Sequence, residues 1–255
     1  MKYFSLEILQ GAQSGFLSTA NHNNGALYVA AHEELAGDVF YNSTVAAMDR
    51  DGDPNWVHVV EESPEGRQLI RTRQLISAIP PKLENLRGFD LDNTERSLFG
   101  QFNNTYYYTV LARIDGLPPG TAILNRADNV PYGLPPMPAV YILNPTPVPG
   151  LFDILYGSEG FMSEEEVKED MTQSVQRLQT GDLNAGAPEF VLYKVHRPFE
   201  LTVPPDAIAN GFYRELQGLQ GRRRTLYTGA AFEAHDSSRI WRFTEALLQS
   251  MLQGQ

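Results

Sequence analysis

The residues best suited to chemistry lie near the C-terminus. They read Thr225-Leu226-Tyr227-Thr228-Gly229-Ala230-Ala231-Phe232, then Glu233-Ala234-His235-Asp236-Ser237-Ser238, then a run from Arg239 to Leu252. The pattern is a short apolar strand, a glycine, an Asp-Ser-Ser cap and an amphipathic helix. Glycine at such a point lets backbone pass close to another group. A helix N-terminus offers unpaired N–H groups and a partial positive charge. Aimed into a cleft, it suits a phosphate or an electron-rich ring carrying negative charge. The plainer reading of Asp236-Ser237-Ser238 is an N-cap worth ~1 kcal/mol.

Other chemistries are excluded by composition. Cysteine is absent, which removes disulfides, thiolate catalysis, cysteine-ligated metal and a cysteine-linked flavin, and leaves no redox mark of compartment. The histidines (His22, His32, His58, His196, His235) show no H-E-x-x-H spacing, so no catalytic metal is expected. Net charge is −11 with acids spread along the chain, which argues against nucleic acid or an anionic membrane as partner. The one basic cluster, Arg222-Arg223-Arg224, reads as a solvated turn or a complement to a helix C-terminus. No run of about 18 apolar residues suggests a membrane span. The opening Met1–Glu7 has no apolar core of signal-peptide length. Asn42-Ser43-Thr44 and Asn103-Asn104-Thr105 fit glycosylation sequons, a pattern common by chance.

The elements that must position these residues are legible from periodicity. Leu27, Ala31 and Leu35 recur at helical spacing and predict a helix over 24–36, stopped by Gly37. Strands are expected at Asp38–Tyr41 and Thr44–Met48, then a meander, Trp56–Val60 and Leu69–Thr72, around Ser63-Pro64-Glu65-Gly66. Leu75–Ile79 reads as a buried strand ended by Pro80-Pro81. Tyr106–Ala112 is β-rich and aromatic. Nine of the 17 prolines lie in 117–150, so that stretch is read as irregular, with a short strand at Ala139–Leu143. Ser163 and Glu166 form a capping box, and Val167, Met171, Val175 and Leu178 form one helix stripe after it. Phe190–Val195 returns as a strand, Ile208, Phe212, Leu216 and Leu219 mark another helix, and the final helix carries Ile240, Trp241, Thr244, Leu247, Leu248 and Met251 on one side.

This is an α+β chain of 255 residues. The reading is a discontinuous domain, residues 1–86 and 206–255, interrupted by an antiparallel-sheet domain, 87–205. The inserted domain should carry the Ser163–Gln179 helix against its sheet.

Three stretches carry a resemblance that extends over almost the whole chain. They are Asn23–Tyr28 with Asn42-Ser43-Thr44-Val45-Ala46-Ala47-Met48, then Ile76-Ser77-Ala78-Ile79-Pro80-Pro81-Lys82-Leu83, and finally Arg222–Phe232 with His235-Asp236-Ser237-Ser238 and Trp241. Together they resemble the FAD-dependent oxidoreductases built on the amine-oxidase plan, and most specifically the fungal group typified by β-cyclopiazonate dehydrogenase. The resemblance implies that the discontinuous domain is the C-terminal part of a cofactor domain and that the inserted one binds substrate. It also implies non-covalent FAD, with the backbone of Val45 pairing the adenine edge. It implies that Gly229 and Ala230 approach the diphosphate and ribityl chain, and that N–H groups around Ser237 and Ser238 face the flavin's pyrimidine side. There they would stabilise negative charge on the reduced ring. For Val45 alone an ordinary strand residue stays a competing reading. Ile76–Leu83 reads equally as a rigid linker or as a crossing that borders the flavin.

Two departures qualify what the resemblance implies. The family begins with a strand–G-x-G-x-x-G–helix unit that holds the diphosphate, with an acid about 20 residues on. No G-x-G occurs here, so the chain is expected to correspond to the C-terminal part of such an enzyme. On that expectation FAD would be held incompletely, and surface uncovered around Trp241 and Leu248 would favour self-association. Second, Gly100–Ala112 has no lysine, and Lys194 is the lysine of the middle-domain strands. Amine oxidation is therefore not assigned, and no general base is named. The expected substrate face is the aromatic strand Tyr106–Tyr108 and its neighbours, with Tyr106 and Tyr108 as the named candidates, since aromatic walls bind flat apolar ligands. The expected function is dehydrogenation of a small organic substrate. The alternatives are a non-catalytic chain that does not hold FAD alone, and a small-molecule binding domain unrelated to flavin. A visible spectrum separates them.

Overall fold

The computed structural model describes residues 10–11, 15, 19–179 and 186–253. In chain order the first elements are α1 (Gly25–Leu35), β1 (Thr44–Asp49), β2 (Val57–Ser63), β3 (Gly66–Thr72), β4 (Leu75–Ser77) and α2 (Asn93–Phe99). Then come β5 (Asn103–Asn104), β6 (Tyr106–Arg113), β7 (Ile123–Leu124), β8 (Ala139–Pro145), β9 (Leu151–Ser158), α3 (Glu164–Leu178), β10 (Glu189–His196) and β11 (Leu201–Thr202). The chain closes with α4 (Pro205–Ala209), α5 (Phe212–Gln217), β12 (Thr225–Tyr227) and α6 (Ser237–Gln253). Two compact units result, one made of residues up to Phe102 with those from Val203 onward, the other of Asn103–Thr202.

The discontinuous unit is built from two small sheets. The meander β1-β2-β3 is antiparallel throughout, with a bulge between Val45 and Ala47. Val57, Val59 and Glu61 alternate onto its covered face, as a period of two requires. The second sheet joins β4 to β12 in parallel, with Leu75, Ile76 and Ser77 opposite Thr225, Leu226 and Tyr227. The segment 90–99, read as no element from sequence, supplies α2, whose Asp92–Glu95 capping box is complete. Phe99 packs edge-on against Tyr227 at 5.7 Å.

Several expectations are corrected here. Asp38–Tyr41 is not a strand. A 3₁₀ turn runs Ala36–Asp38, and Phe40 and Tyr41 are exposed. The single helix expected through Ile208 and Leu219 is two, α4 and α5, because Gly211 sits between them at φ +92°. Strand β9 follows the proline-rich stretch 117–150, was not among the expected strands, and forms the centre of the larger sheet.

The second unit is a five-stranded antiparallel sheet in the order β10-β6-β9-β8-β7. Its core face buries Tyr108, Val110, Ala112, Val140, Leu143, Phe152, Ile154 and Tyr156. Helix α3 covers this face with Val167, Met171 and Val175, all at 0% exposure. Its N-terminus is fixed by the capping box: Ser163 Oγ accepts from Glu166 N, and the Glu166 carboxylate accepts from Ser163 N. Residues of β6 and β9 that alternate with the core set point to the opposite face of the sheet.

Candidate cofactor and substrate site

The parallel pair β4–β12 positions the glycine picked out by sequence. Thr228 N donates to Ser77 O at 2.9 Å, so both strands run out together at Ser77-Ala78 and Thr228-Gly229. Ligands of open parallel sheets bind beyond such carboxyl ends. Gly229 has φ +98°, where a side chain is strained, and a Cβ added there would meet only the Ala78 carbonyl, at 3.7 Å. Gly229 O in turn accepts from Phe232 N and Glu233 N, both at 3.1 Å, which folds 229–233 into a fixed turn. Phe232 stacks on Tyr227 at 5.2 Å and 12°, and Thr228 Oγ1 bonds Thr244 Oγ1 at 2.6 Å, tying strand to helix α6. The Ser77 hydroxyl is buried at this end with no protein partner among the described residues.

The helix N-terminus carries the cap read from the Asp-Ser-Ser run. Asp236 is the cap. Its Oδ1 accepts from Ser238 N at 2.9 Å, from the Ser238 hydroxyl at 2.7 Å and from Arg239 N at 3.4 Å. Ser237 and Ser238 are exposed, but the Ser238 N–H expected to face a ligand is committed to a carboxylate. That carboxylate also offsets the positive end of the helix dipole. Arg239 reaches back to Glu233.

At the other end of the unit, Val45 sits on β1, an edge strand of the meander. The bulge beside it takes backbone groups off the ladder. Gly88, at φ +86°, lies against the Val45 carbonyl so closely that a Cβ would fall 2.2 Å from it. Val45 lines a cavity of about 510 Å³ together with Val59, Ile70, Ile79 and Phe89, with Glu61 in its wall and Arg87 at its rim. Glu61 is 6% exposed, and its Oε1 has no partner among the described residues.

Of the basic cluster, Arg223 and Arg224 turn inward beside Arg50, while Arg222 stays exposed. Arg50, fully buried, donates to both Glu95 carboxylate oxygens at 2.8 Å, to Asp90 at 2.6 Å and to the Tyr227 hydroxyl at 3.1 Å. Arg223 adds bonds to Asp51, Asp90 and Glu95, Arg224 bonds the carbonyls of Arg50 and Pro54, and Arg222 reaches Asp92. Burial alone would raise Glu95, but hydrogen bonds from Arg50, Tyr227 and the Asp92 backbone hold its carboxyl below the usual range. The network ties the end of β1, the α2 cap and β12 to one another.

In the second unit the expected tyrosines face the wrong way for a free wall. Tyr108 has 0% exposure and its hydroxyl accepts from Met162 N at 3.0 Å. Tyr106 packs on the same core face, edge-on to Phe161. Helix α3 claims that face, so the period of two sends Tyr107 to the other one. There Tyr107 stacks with Phe199 at 4.8 Å and 17° and with Tyr141 at 6.4 Å and 25°. Gly157 makes room for Tyr141, since a Cβ would fall 2.0 Å from its hydroxyl. The Phe199–Glu200 segment is pinned by Thr105, whose N–H donates to Glu200 O at 3.0 Å and whose O accepts from Phe199 N at 3.1 Å. Burial pushes the Glu200 carboxyl up to about 7. Burial also raises Asp153, and raises Tyr107 and Tyr141 with help from neighbouring carboxylates. Lys194 is exposed in register with Thr109, two residues before His196, whose ring lies 5.8 Å from Tyr107.

The chain is 36% identical over 266 residues to the FAD-dependent oxidoreductase oblC of Cochliobolus heterostrophus, covering 100% of this chain and 55% of that protein. It is 38% identical to pigF of Monascus ruber (94% and 52%), and 34% identical to the β-cyclopiazonate dehydrogenase of Aspergillus flavus (89% and 50%). It belongs to the fungal FAD-dependent oxidoreductase family. The chain spans about half the length of the curated relatives it matches. No protein-family profile matches it. Among solved structures, the fold of this family member matches the CLA-producing fatty acid isomerase of P. acnes with TM-score 0.67 at 16% identity (98% of this chain, 56% of that one). It matches cyclohexylamine oxidase of Brevibacterium oxydans with TM-score 0.51 at 15% identity (89% and 52%). These likenesses show an α+β fold shared with those two proteins over about half of their length.

The residues of this oxidoreductase-family chain fit FAD at two places. One is the strand end where Gly229 leaves space and the Ser77 hydroxyl lacks a partner. The other is the apolar cavity at Val45, where Glu61 lacks one. Sequence reasoning missed Glu61, Tyr141, Phe199 and Glu200; Ser77 lay within the crossing motif and Tyr107 within the expected aromatic strand, neither singled out. For Tyr107 the alternation was visible, but which face a helix would cover was not.

Proposed function

We propose that the chain forms the flavin-side C-terminal part and the substrate unit of an FAD-dependent oxidoreductase that dehydrogenates a small, flat organic substrate. The relatives' names, FAD-dependent oxidoreductase and β-cyclopiazonate dehydrogenase, support the reaction class. FAD when bound supplies the redox chemistry, accepting a hydride equivalent. This chain's own residues position and exclude. Gly229 and Ala230 leave room for the cofactor's chain at the strand end, Ser77 offers it a hydroxyl, Ser237 and Ser238 flank the far side, and Val45 meets the adenine. In the second unit the Tyr141–Tyr107–Phe199 row holds a flat substrate by stacking, while Glu200 sets the polarity at its edge.

The observation that carries this reading is the joint exit of β4 and β12 at Ser77-Ala78 and Thr228-Gly229, with a positive-φ glycine and an unpartnered buried hydroxyl at one point. The test is spectroscopic. Added FAD should acquire the structured visible spectrum of a bound flavin, and Gly229→Val should lose it. Gly229→Ala, which carries the same φ strain with less bulk, controls for folding. A Gly229→Val protein that binds FAD as the parent does rejects the assignment.

A second reading has one observation in its favour. Asp236 already occupies the N–H groups that would meet the flavin. On this reading the chain binds substrate but does not hold FAD alone, and the parent protein shows no flavin spectrum.

A further inference from the structure

The cavity at Val45 contains an unmet requirement. Glu61 is 6% exposed, Oε1 is buried without a partner, and no ion pair to it exists among the described residues. A carboxylate in that state is costly unless a donor is delivered to it. Rotation about its terminal torsion turns either oxygen toward the cavity. Val45, Val59, Ile70, Ile79 and Phe89 give the walls their apolar part, and Ser43, Thr44 and Asn85 add polar groups to them. Along one side runs β1, an edge strand with a bulge at Val45–Ala47 opposite Glu61 and Val60, so peptide groups are presented to the same space. About 510 Å³ is room for a purine-sized ring.

Which part of the cofactor these groups accept follows from donor chemistry. A diphosphate is repelled by the unpaired Glu61, whereas Glu84 on the same cavity is exposed and paired with Lys82. The ring N–H of the flavin lies between two carbonyl oxygens, so a carboxylate aimed at it meets two like partial charges. An exocyclic amine on a purine offers two N–H donors standing clear of the ring, one for the carboxylate and one for backbone. Arg87 at the rim is placed for phosphate outside the cavity.

We propose that Glu61 is a specificity-determining ligand residue, its carboxylate accepting a hydrogen bond from the exocyclic amine of an aminopurine seated against strand β1. The inference rests on the cofactor reading above, the aminopurine being the adenine of FAD.

The experiment uses the 255-residue chain labelled with ¹⁵N, with AMP and IMP as probes. IMP carries a carbonyl oxygen where AMP carries the amine, so Glu61 attracts one and repels the other. AMP should shift the Val45 and Ala46 amides and bind at least about tenfold tighter than IMP. Glu61→Gln, which can donate as well as accept, should narrow that ratio to about threefold or less, with the remaining amide spectrum unchanged as the folding control. Glu61→Asp, one methylene shorter, should lower the ratio in the same direction. Equal binding of AMP and IMP at Val45, or a ratio untouched by both substitutions, overturns the role of Glu61 and leaves the cofactor reading standing. Shifts near Gly229 on adding FAD, with none at Val45 for any probe, overturn the adenine position and this proposal with it. No response to AMP, IMP or FAD overturns both the proposal and the cofactor reading.

Discussion

Single residues in this chain act through burial and through backbone that other residues cannot adopt. Gly229 and Gly88 illustrate the second: both sit at positive φ, and Gly88 lies where any Cβ would strike the Val45 carbonyl. Glu200 illustrates the first. Its carboxyl is raised from 4.5 to about 7 because it is half-buried beside the aromatic row. The folded state therefore holds this proton at pH values where the unfolded chain has released it. Stability from this group is fully present below about pH 4.5 and is lost as pH rises through about 7. Thermal unfolding between pH 5 and 8 should show a decline that Glu200→Gln flattens. An identical pH dependence in the variant would remove Glu200 as its source.

At the scale of elements, the decisive object is the Arg50 network, which fastens β1, α2 and β12 through one buried guanidinium. Arg50→Met keeps the volume but leaves Glu95, 3% exposed, and Asp90 without their main partner. Breaking a buried pair by removing one member costs about 3–5 kcal/mol. Urea unfolding should show that loss, and adding Glu95→Gln to Arg50→Met should recover part of it. A loss under about 1 kcal/mol would mean that Arg223 alone suffices to hold the two carboxylates. The sequence marked Arg222–Arg224 only as a charge cluster. Its partners, Asp51, Asp90, Asp92 and Glu95, are more than a hundred residues away, and no local pattern announces such a pairing.

For the whole molecule, the exposed apolar surface sets the behaviour. Helix α1 buries no residue, and Leu27, Tyr28, Val29 and Leu35 on it are all more than half exposed. Trp241 is 61% and Leu248 45% exposed on α6, although both belong to its apolar stripe. Surfaces of this kind drive association. The purified chain should scatter light as an oligomer at micromolar concentration, and Trp241→Glu with Leu248→Glu should reduce it. The chain should also bind FAD more weakly than about 1 µM, because no G-x-G turn is present to hold the diphosphate. A monodisperse protein retaining FAD stoichiometrically would contradict both expectations.

What the sequence determined by itself was whatever depends on neighbours along the chain. The α3 capping box at Ser163 and Glu166, the meander around Pro64-Glu65-Gly66 and the strand–glycine–helix order at 225–252 all follow from local periodicity, caps and turn chemistry, whereas the strand expected to run to Pro80-Pro81 ends at Ser77 with Ile79 exposed. The resemblance to fungal FAD-dependent oxidoreductases was likewise written in contiguous motifs. What only tertiary structure decided was which face of an alternating strand is covered and which distant charges meet. Tyr107 and Tyr108 are neighbours with the same side chain, yet one lies under α3 and the other faces the open side, because a helix from residues 164–178 packs on one face alone. Glu61 comes to lie buried without a partner among the described residues because β2 turns it, with Val59, onto the face that lines the cavity beside β1 and residues 79–89. Local propensity acts over a few residues, whereas burial is a property of the assembled surfaces, and it is burial that turns an ordinary carboxylate or tyrosine into a candidate site.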